Sequence, residues 1–353
     1  MHVTLAGLGN IGSHAAEFLA RNPSVTALTL IDHDAYEQTN ATGQAIRSSD
    51  IGHAKASVQA RRLQEVRPEI RIDAICDRVE NLPLGRLKCD VLAAAVDTRI
   101  TRQYLNEACW SLGVPWVDSG VNAESGLASI SAYEPAFENP CIECNWTDRH
   151  YATLEVGYPC GSNRPAVHTN APASLGGLAG ALLAIECGKL IRPEKAQAMA
   201  GHQLVYDTLW HKQHVVKLWR NPRCRFSHHT LPVDAASTVA ASALLSDIFG
   251  RTALQGARLT VACSQGFARH AVCPGCGKSH SELWKVSQGL RCFRCGQPMK
   301  AAGFETVDEL NPSQLPMHVL QKRLSELGLR SGDMLVLSNT EAEECLRIGE
   351  AHG

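Results

Sequence analysis

HVTLAGLGNIG, residues 2–12, decides the fold. The short apolar run His2–Ala6 leads into a G-x-G-x-x-G turn at Gly7, Gly9 and Gly12, and the helix-forming stretch SHAAEFLARN follows. Strand, glycine turn and helix in that order predict the opening unit of a doubly wound, mainly parallel α/β sheet of the Rossmann type. The first helix should bury Ala15, Phe18 and Leu19 on one side and end before Pro23. Glycines at these positions permit a tight turn and a close approach of backbone to a phosphate, with the helix N-terminus supplying N–H donors.

Working outward, VTALTLID reads as the second strand, RIDAICD as the third, DVLAAAV as the fourth and PWVDSGV as the fifth. HAKASVQARRLQEVRP and TRQYLNEACWSLG are helical between them. Strands alternating with helices predict parallel pairing. Asp32 closes the second strand, 20 residues after Gly12, where a carboxylate can hold ribose hydroxyls. After about residue 120 the pattern changes. GLASISAYEPAF is extended, and QLVYDTLWHKQHVVKLWRN alternates like two antiparallel strands. The apolar stretch 171–191 contains Pro172, three glycines, Glu186 and Lys189, and reads as a buried helix rather than a membrane span. Its Gly176, Gly177 and Gly180 suit close packing on another helix, within the chain or across a dimer.

The 353 residues carry 34 Lys and Arg against 35 Asp and Glu, a net charge of −1, which argues against a strongly basic nucleic-acid binder or an anionic-membrane protein. Hydrophobic residues make up 44%, enough for a sizeable core, and only 20% are charged, which excludes a mainly disordered chain. Among 14 cysteines stand three C-x-x-C pairs. The N-terminus lacks a basic signal region, so the pairs are expected to bind zinc in the reducing cytoplasm rather than to form disulfides. Cys273, Cys276, Cys292 and Cys295 have the spacing C-x2-C-x15-C-x2-C of a closed four-thiolate ribbon. The expected domains are a nucleotide-binding domain (1–230), a connector carrying a helix (231–268), the zinc ribbon (269–300) and a small α+β segment (301–353). The ribbon's flanks are not markedly basic, so no nucleic-acid partner is expected.

The glycine loop alone does not separate NAD from ATP. The residues that follow it do. Asp32-His33-Asp34, Asn40, Gln44, Gly52, Lys55 and then Asp97-Thr98-Arg99-Ile100-Thr101-Arg102 form an ordered series. This series resembles the ubiquitin-activating superfamily that includes the bacterial ThiF, MoeB and HesA proteins, over about residues 1–230. Taken singly, Lys55 reads as a solvated helix lysine and Asp97 as a helix N-cap. The resemblance implies that residues 1–230 are an ATP-binding adenylation domain and that it carries out ATP-dependent adenylation of the C-terminal glycine of a ubiquitin-like or sulfur-carrier protein. It implies Gly7, Gly9, Asn10, Gly12, Asp32, Asp34, Asn40 and Gln44 around the nucleotide, Lys55 on phosphate, and Asp97 on Mg2+. It also implies a homodimer and, in a bacterial conjugation pathway, a conjugating enzyme as partner. The family's arginine before Gln44 is Gly43 here, and Arg47, one helical turn onward, is the expected substitute. An arginine often found upstream of the first strand has only His2 in its place.

Relatives carry a second C-x-x-C after an Asn-Pro dipeptide. The matching stretch here is Asn221-Pro222-Arg223-Cys224-Arg225-Phe226-Ser227-His228-His229. The resemblance therefore implies a Cys3His zinc site from Cys141, Cys144, Cys224 and a histidine, His228 before His229. It further implies a thioester- or persulfide-forming cysteine in the loop after the first zinc pair. Cys160 is the candidate, with Arg164 and His168 near it in sequence. The extra ribbon and C-terminal segment favour conjugation over sulfur transfer. Adenylation of a peptide, an NAD-dependent oxidoreductase and a catalytically weak platform protein are the alternatives.

Overall fold

The strand β1 (His2–Ala6) lies inside an eight-stranded sheet with β2 (Ala27–Ile31), β3 (Arg71–Ile75), β4 (Val91–Ala94), β5 (Trp116–Asn122), β6 (Leu127–Tyr133), β7 (His202–Asp207) and β8 (Lys212–Lys217). The order is β3-β2-β1-β4-β5-β6-β7-β8. The pairs from β3 to β5 are parallel, and those from β5 to β8 antiparallel. These coordinates are a computed structural model and describe residues 1–154, 171–192, 197–301 and 306–349. Two compact units are present, Met1–Val79 with Leu87–Thr230, and Glu80–Arg86 with Leu231–Gly353.

In the first unit the helices are α1 (Gly12–Arg21), α2 (Lys55–Val66), α3 (Arg99–Leu112), α4 (Asp148–Tyr151) and α5 (Ala173–Leu190). Every residue of β2 and β4 is buried, as expected where helices cover both faces of a parallel sheet. The chain leaves β1 toward β2 on one side, and β4 returns on the other. That reversal opens a crevice beyond the C-terminal ends of β1 and β4, the usual ligand position in such sheets. Ala15, Ala16, Leu19 and Ala20 bury the inner face of α1. Phe18, expected with them, is 46% exposed. It sits far enough round the helix that the small alanines, rather than its ring, meet the core.

The helix α5 meets the length and hydropathy requirements of a membrane span, yet its glycines are spent inside the unit. A Cβ on Gly180 would lie 2.9 Å from Ala15 N and 3.0 Å from Ile11 O. A Cβ on Gly176 would lie 2.2 Å from Asn10 Oδ1. The close crossing is therefore with α1, directly beneath the glycine turn. α3 ends at Gly113, which adopts φ +65° and donates its N–H to Trp110 O, a left-handed C-cap.

In the second unit the elements are β9 (Ser237–Ala240), α6 (Leu245–Arg251), β10 (Arg258–Val261), β11 (Phe267–Ala268), β12 (Ala271–Val272), β13 (Ser279–His280), β14 (Trp284–Lys285), β15 (Leu290–Arg291), β16 (Pro298–Ala301), β17 (Thr306–Val307), α7 (Met317–Leu320), β18 (Met334–Ser338) and β19 (Glu343–Gly349). The stretch 231–268, expected as a connector, supplies β9 and β10 to a four-stranded sheet, β10-β18-β19-β9. Its core joins Val239, Leu259 and Ile248 to Leu335, Leu337 and Ile348. Residues 231–268 and 306–349 thus share one core. The cysteine-rich stretch folds as a second sheet, β13-β12-β16-β15. Lys285 and Asp333 form an ion pair inside this unit, 2.5 Å apart, with side chains 4% and 1% exposed.

Candidate nucleotide site and metal centres

The three glycines after β1 do three different things. Gly7 has φ +87°, and a Cβ on it would sit 2.4 Å from Ala95 O at the end of β4. A Cβ on Gly12 would sit 1.9 Å from Gly7 O. Gly9 meets nothing within 4 Å. The first and third close the turn on itself and on β4, while the second leaves backbone open to a ligand. No side chain caps the start of α1, but Ser13 N–H donates to Gly9 O (3.0 Å) and His14 N–H to Ile11 O (3.2 Å), so the N–H groups open to an anion are those of the turn ahead of them.

Asp32 ties this turn to β2. Its Oδ2 accepts from Leu8 N–H (2.7 Å) and its Oδ1 from Asp34 N–H (2.9 Å). Each oxygen keeps a second lone pair, so the carboxylate can still accept ribose hydroxyls. Asp32, His33 and Asp34 present ligand atoms within 4.8 Å of one another. Lys55, the first residue of α2, is no solvated helix lysine. It is buried, with Nζ 3.1 Å from Asp34 Oδ2 and 5.9 Å from the centre of the Tyr36 ring. Burial pushes the Tyr36 phenol well above its ordinary range. It stays protonated, donates to Leu8 O and accepts from Gln59 Nε2.

Across the crevice, Asp97 follows β4 and is exposed. The capping role that a lone Asp97 suggests belongs to Thr98, whose Oγ1 accepts from Thr101 N–H (3.2 Å). Among the described residues the Asp97 carboxylate has no hydrogen-bond or ion-pair partner. Arg102 holds the preceding turn. It donates to Val96 O and Ser119 O, and its Nε lies 2.8 Å from Asp118 Oδ1. Burial raises the Asp118 pKa, and the Arg102 guanidinium pulls it back.

Other expected contacts are differently placed. Asn10 Nδ2 donates to Gly43 O and Ala171 O (2.5 and 2.9 Å), which braces the loop, while its Oδ1 is buried and unpartnered among the described residues. Asn40 Oδ1 accepts from Glu37 N–H and shapes the loop locally. Gln44 Oε1 is buried and unpartnered among the described residues, a polar atom that a nucleotide group or water would satisfy. A Cβ on Gly43 would lie 3.0 Å from Ala171 O and 3.2 Å from Asn10 Nδ2, so that brace fills the space around it. Residues 43–47 are irregular, and Arg47 therefore does not follow Gly43 along a helix. It lines a cleft between α1 and α2 with Ser13, Glu17, Gln59 and Arg62. Cys160, Arg164 and His168 lie outside the described residues.

Two four-ligand clusters are present. In the first, ligand atoms of Cys141, Cys144, Cys224 and His228 lie within 4.8 Å of one another. Cys141 Sγ is 3.8 Å from Cys144 Sγ and 3.7 Å from Cys224 Sγ, and His228 Nε2 is 3.3 Å from Cys144 Sγ. His228 is buried, edge-on to Trp110, and His229 is exposed. His228 Nδ1 lies 2.8 Å from Phe226 O, and a proton held there makes Nε2 the ligand nitrogen; Arg220 Nη1 lies 2.6 Å from Nε2. Hydrogen bonds from the Cys141 thiol and from the backbone N–H of Asn221 and Cys141 lower the Cys144 pKa, which favours its thiolate. Sequence reasoning missed the support beneath this cluster. Glu143 is buried and accepts from Gln103 Nε2 and Tyr151 O–H (3.0 Å each). A carboxylate between two paired cysteines was the only available signal.

The second cluster is Cys273, Cys276, Cys292 and Cys295. Its two turns match. Gly277 N–H donates to Cys273 O and Gly296 N–H to Cys292 O, while Cys273 N–H donates to Lys278 O and Cys292 N–H to Gln297 O. Gly277 and Gly296 have φ of +69° and +71°, which glycine adopts without strain. Both donor sets suit a tetrahedral soft divalent ion such as Zn2+, and with four protein ligands neither leaves an open coordination position.

Comparison with known proteins agrees with this arrangement. The chain is 31% identical over 149 residues to the sulfur carrier protein ThiS adenylyltransferase of Escherichia coli, covering 41% of this chain and 58% of that one. It is 27% identical over 225 residues to the molybdopterin-synthase adenylyltransferase of E. coli, covering 63% and 85%. The solved structure of E. coli MccB with ATP shares the fold, with TM-score 0.52 and 24% identity over 64% of this chain and 65% of that one. A model of the ThiF family matches residues 1–226. With the glycine turn, the acidic end of β2 and the exposed carboxylate after β4 in the family's order, the chain belongs to the ThiF family.

Proposed function

We propose that this chain uses Mg·ATP to adenylate the C-terminal glycine carboxylate of a small ubiquitin-like or sulfur-carrier protein. One observation carries the reading. Gly7 packs directly on Ala95, so the open backbone at Gly9 and the uncommitted carboxylate of Asp97 share one end of the sheet. Family membership and the names of the relatives support it.

The carrier's carboxylate oxygen attacks the α-phosphorus. A carboxyl O–Pα bond forms, the bond from Pα to the bridging oxygen breaks, and pyrophosphate leaves with that electron pair. The chain's task is to position the reactants and offset negative charge. Asp32 receives ribose hydroxyls, and the Gly9 backbone with the start of α1 receives phosphate. Lys55 turns its ammonium from Asp34 toward phosphate, and Gln44, whose Oε1 is unpartnered among the described residues, meets the triphosphate side from a loop that Asn40 shapes. Asp97 would hold Mg2+, with Asp34 as a further carboxylate of the nucleotide site. A bound Mg2+ supplies electrostatic neutralisation of the leaving pyrophosphate. The two zinc centres are structural. Cys160 takes the activated acyl group in the onward step. The enzyme works as a homodimer, and the second unit, beyond the matched residues 1–226, delivers the activated carrier to a conjugating enzyme. Sulfur transfer to a thiocarboxylate is the second reading, favoured by the relatives named for sulfur carriers.

ATP–pyrophosphate exchange with small carriers ending in glycine tests the reading. Exchange is expected to require both Mg2+ and the terminal glycine. Binding of a carrier without exchange, in wild-type protein supplied with Mg·ATP, would sink it.

A further inference from the structure

The near-zero net charge conceals an uneven distribution. Residues 269–300 hold six Lys and Arg against a single acidic residue, Glu282, while the rest of the chain holds 28 against 34. Lys285 is buried against Asp333, and Glu282 is paired with Lys322. The cations left exposed are Arg269, Lys278, Arg291, Arg294 and Lys300.

The strand register puts several of them on one face. Lys300 lies opposite Val272, and Val272 lies opposite Ser279. Arg291 lies opposite Pro298, two residues from Lys300 on β16. Side chains two apart on a strand share a face. Arg291, Pro298, Lys300, Val272 and Ser279 therefore line the outer side of the sheet, and Ala271, Leu290, Met299 and Ala301 pack together on the inner side. At the rim stands Phe293, 75% exposed between the two ligands Cys292 and Cys295, with Lys278 Nζ 5.4 Å from its ring centre. Arg294 follows it in sequence.

We propose that this face binds single-stranded nucleic acid, with Phe293 as a stacking platform and Arg291, Arg294, Lys278 and Lys300 on the phosphates. An exposed ring set among cations is the combination that unpaired bases and their backbone require. The ribbon offers no α-helix for a duplex groove, and the positive face complements a polyanion. An acidic protein would use the charge and leave the ring without a partner.

The test uses the full zinc-loaded chain and fluorescence anisotropy of labelled 12-nucleotide oligo(U) and oligo(dT). Contact of these four cations with about four phosphates predicts roughly a 50-fold loss of affinity between 50 and 200 mM salt. Phe293→Ala is expected to weaken binding about five- to 150-fold with the salt slope unchanged. Arg291→Gln with Lys300→Gln replaces no zinc ligand, although Arg291 Nη1 also donates to Gly296 O in the knuckle turn, so zinc content is measured alongside, and with zinc retained the pair is expected to flatten the slope by about 1.4. Absence of binding, wild-type affinity in Phe293→Ala, equal competition by polyglutamate, or tighter binding of a 12-base-pair duplex would each overturn the proposal.

Discussion

Alanine at Gly180 and at Gly177 should move stability in opposite directions, although the sites are three residues apart on α5. Both changes remove a helical glycine, which favours the folded state by about 0.5–1 kcal/mol. They differ in what the new methyl group meets. At position 177 it touches only the edge of the His14 ring, at 3.9 Å, an ordinary contact. At position 180 it would lie 2.9 Å from Ala15 N and 3.0 Å from Ile11 O, backbone atoms of α1 that cannot rotate away. Forcing a methyl group into a packed contact of this kind costs about 1–3 kcal/mol. The helix gain is common to both, so the difference between the variants isolates the crowding. For a unit of this size each kcal/mol moves the melting temperature by roughly 2–4 °C. Gly177→Ala should melt about 1–4 °C above wild type, and Gly180→Ala about 2–12 °C below Gly177→Ala. Thermal unfolding followed by the buried Trp110 and Trp116, both 0% exposed in the first unit, reads this transition. Because α1 begins at Gly12, Gly180→Ala should also weaken nucleotide binding at temperatures where it is fully folded. If Gly180→Ala melts at or above Gly177→Ala, the close α1–α5 crossing is wrong.

Asp97→Asn should bind ATP in the absence of metal like wild type yet lose carrier-dependent pyrophosphate exchange; wild-type exchange rates would remove Asp97 from the metal role. Cys160→Ala should retain exchange and fail only in acyl transfer, read by loss of a thiol-sensitive carrier adduct. Metal analysis of the native chain should find two zinc ions, His228→Ala should retain one tightly, and His229→Ala should retain both; loss of zinc in the His229 variant instead would reassign the ligand. Asp333→Ala leaves Lys285 buried without its partner and should destabilise the second unit by about 3–5 kcal/mol in urea, whereas a change below 1 kcal/mol would mean the pair is hydrated.

Much of the nucleotide site was legible because its constraints are local. A glycine turn between strand and helix, and an acid at the end of the next strand, follow from backbone sterics and chain direction, which act over a few residues. The order of Asp32, Lys55 and Asp97 pointed to the crevice because parallel strands bring their C-terminal ends to one edge. Phe18 was misplaced because periodicity gives an angle around a helix and not the depth of the neighbouring surface. Nothing in the turn itself reveals that Gly43 and Ala171 lie within reach of the Asn10 amide.

The sequence by itself determined the parallel α/β order, the glycine turn and the two sets of paired cysteines, since each depends on spacing along a short stretch. Only the tertiary structure decided that Gly176 and Gly180 serve the α1 contact, that Thr98 caps α3 so that Asp97 is left exposed, and that His228 rather than His229 faces the three thiols. It also decided that residues 231–268 share a sheet with residues 334–349. Each of these turns on which distant backbone comes within a few ångströms, and that proximity is set by packing the whole unit, not by the spacing of any one segment.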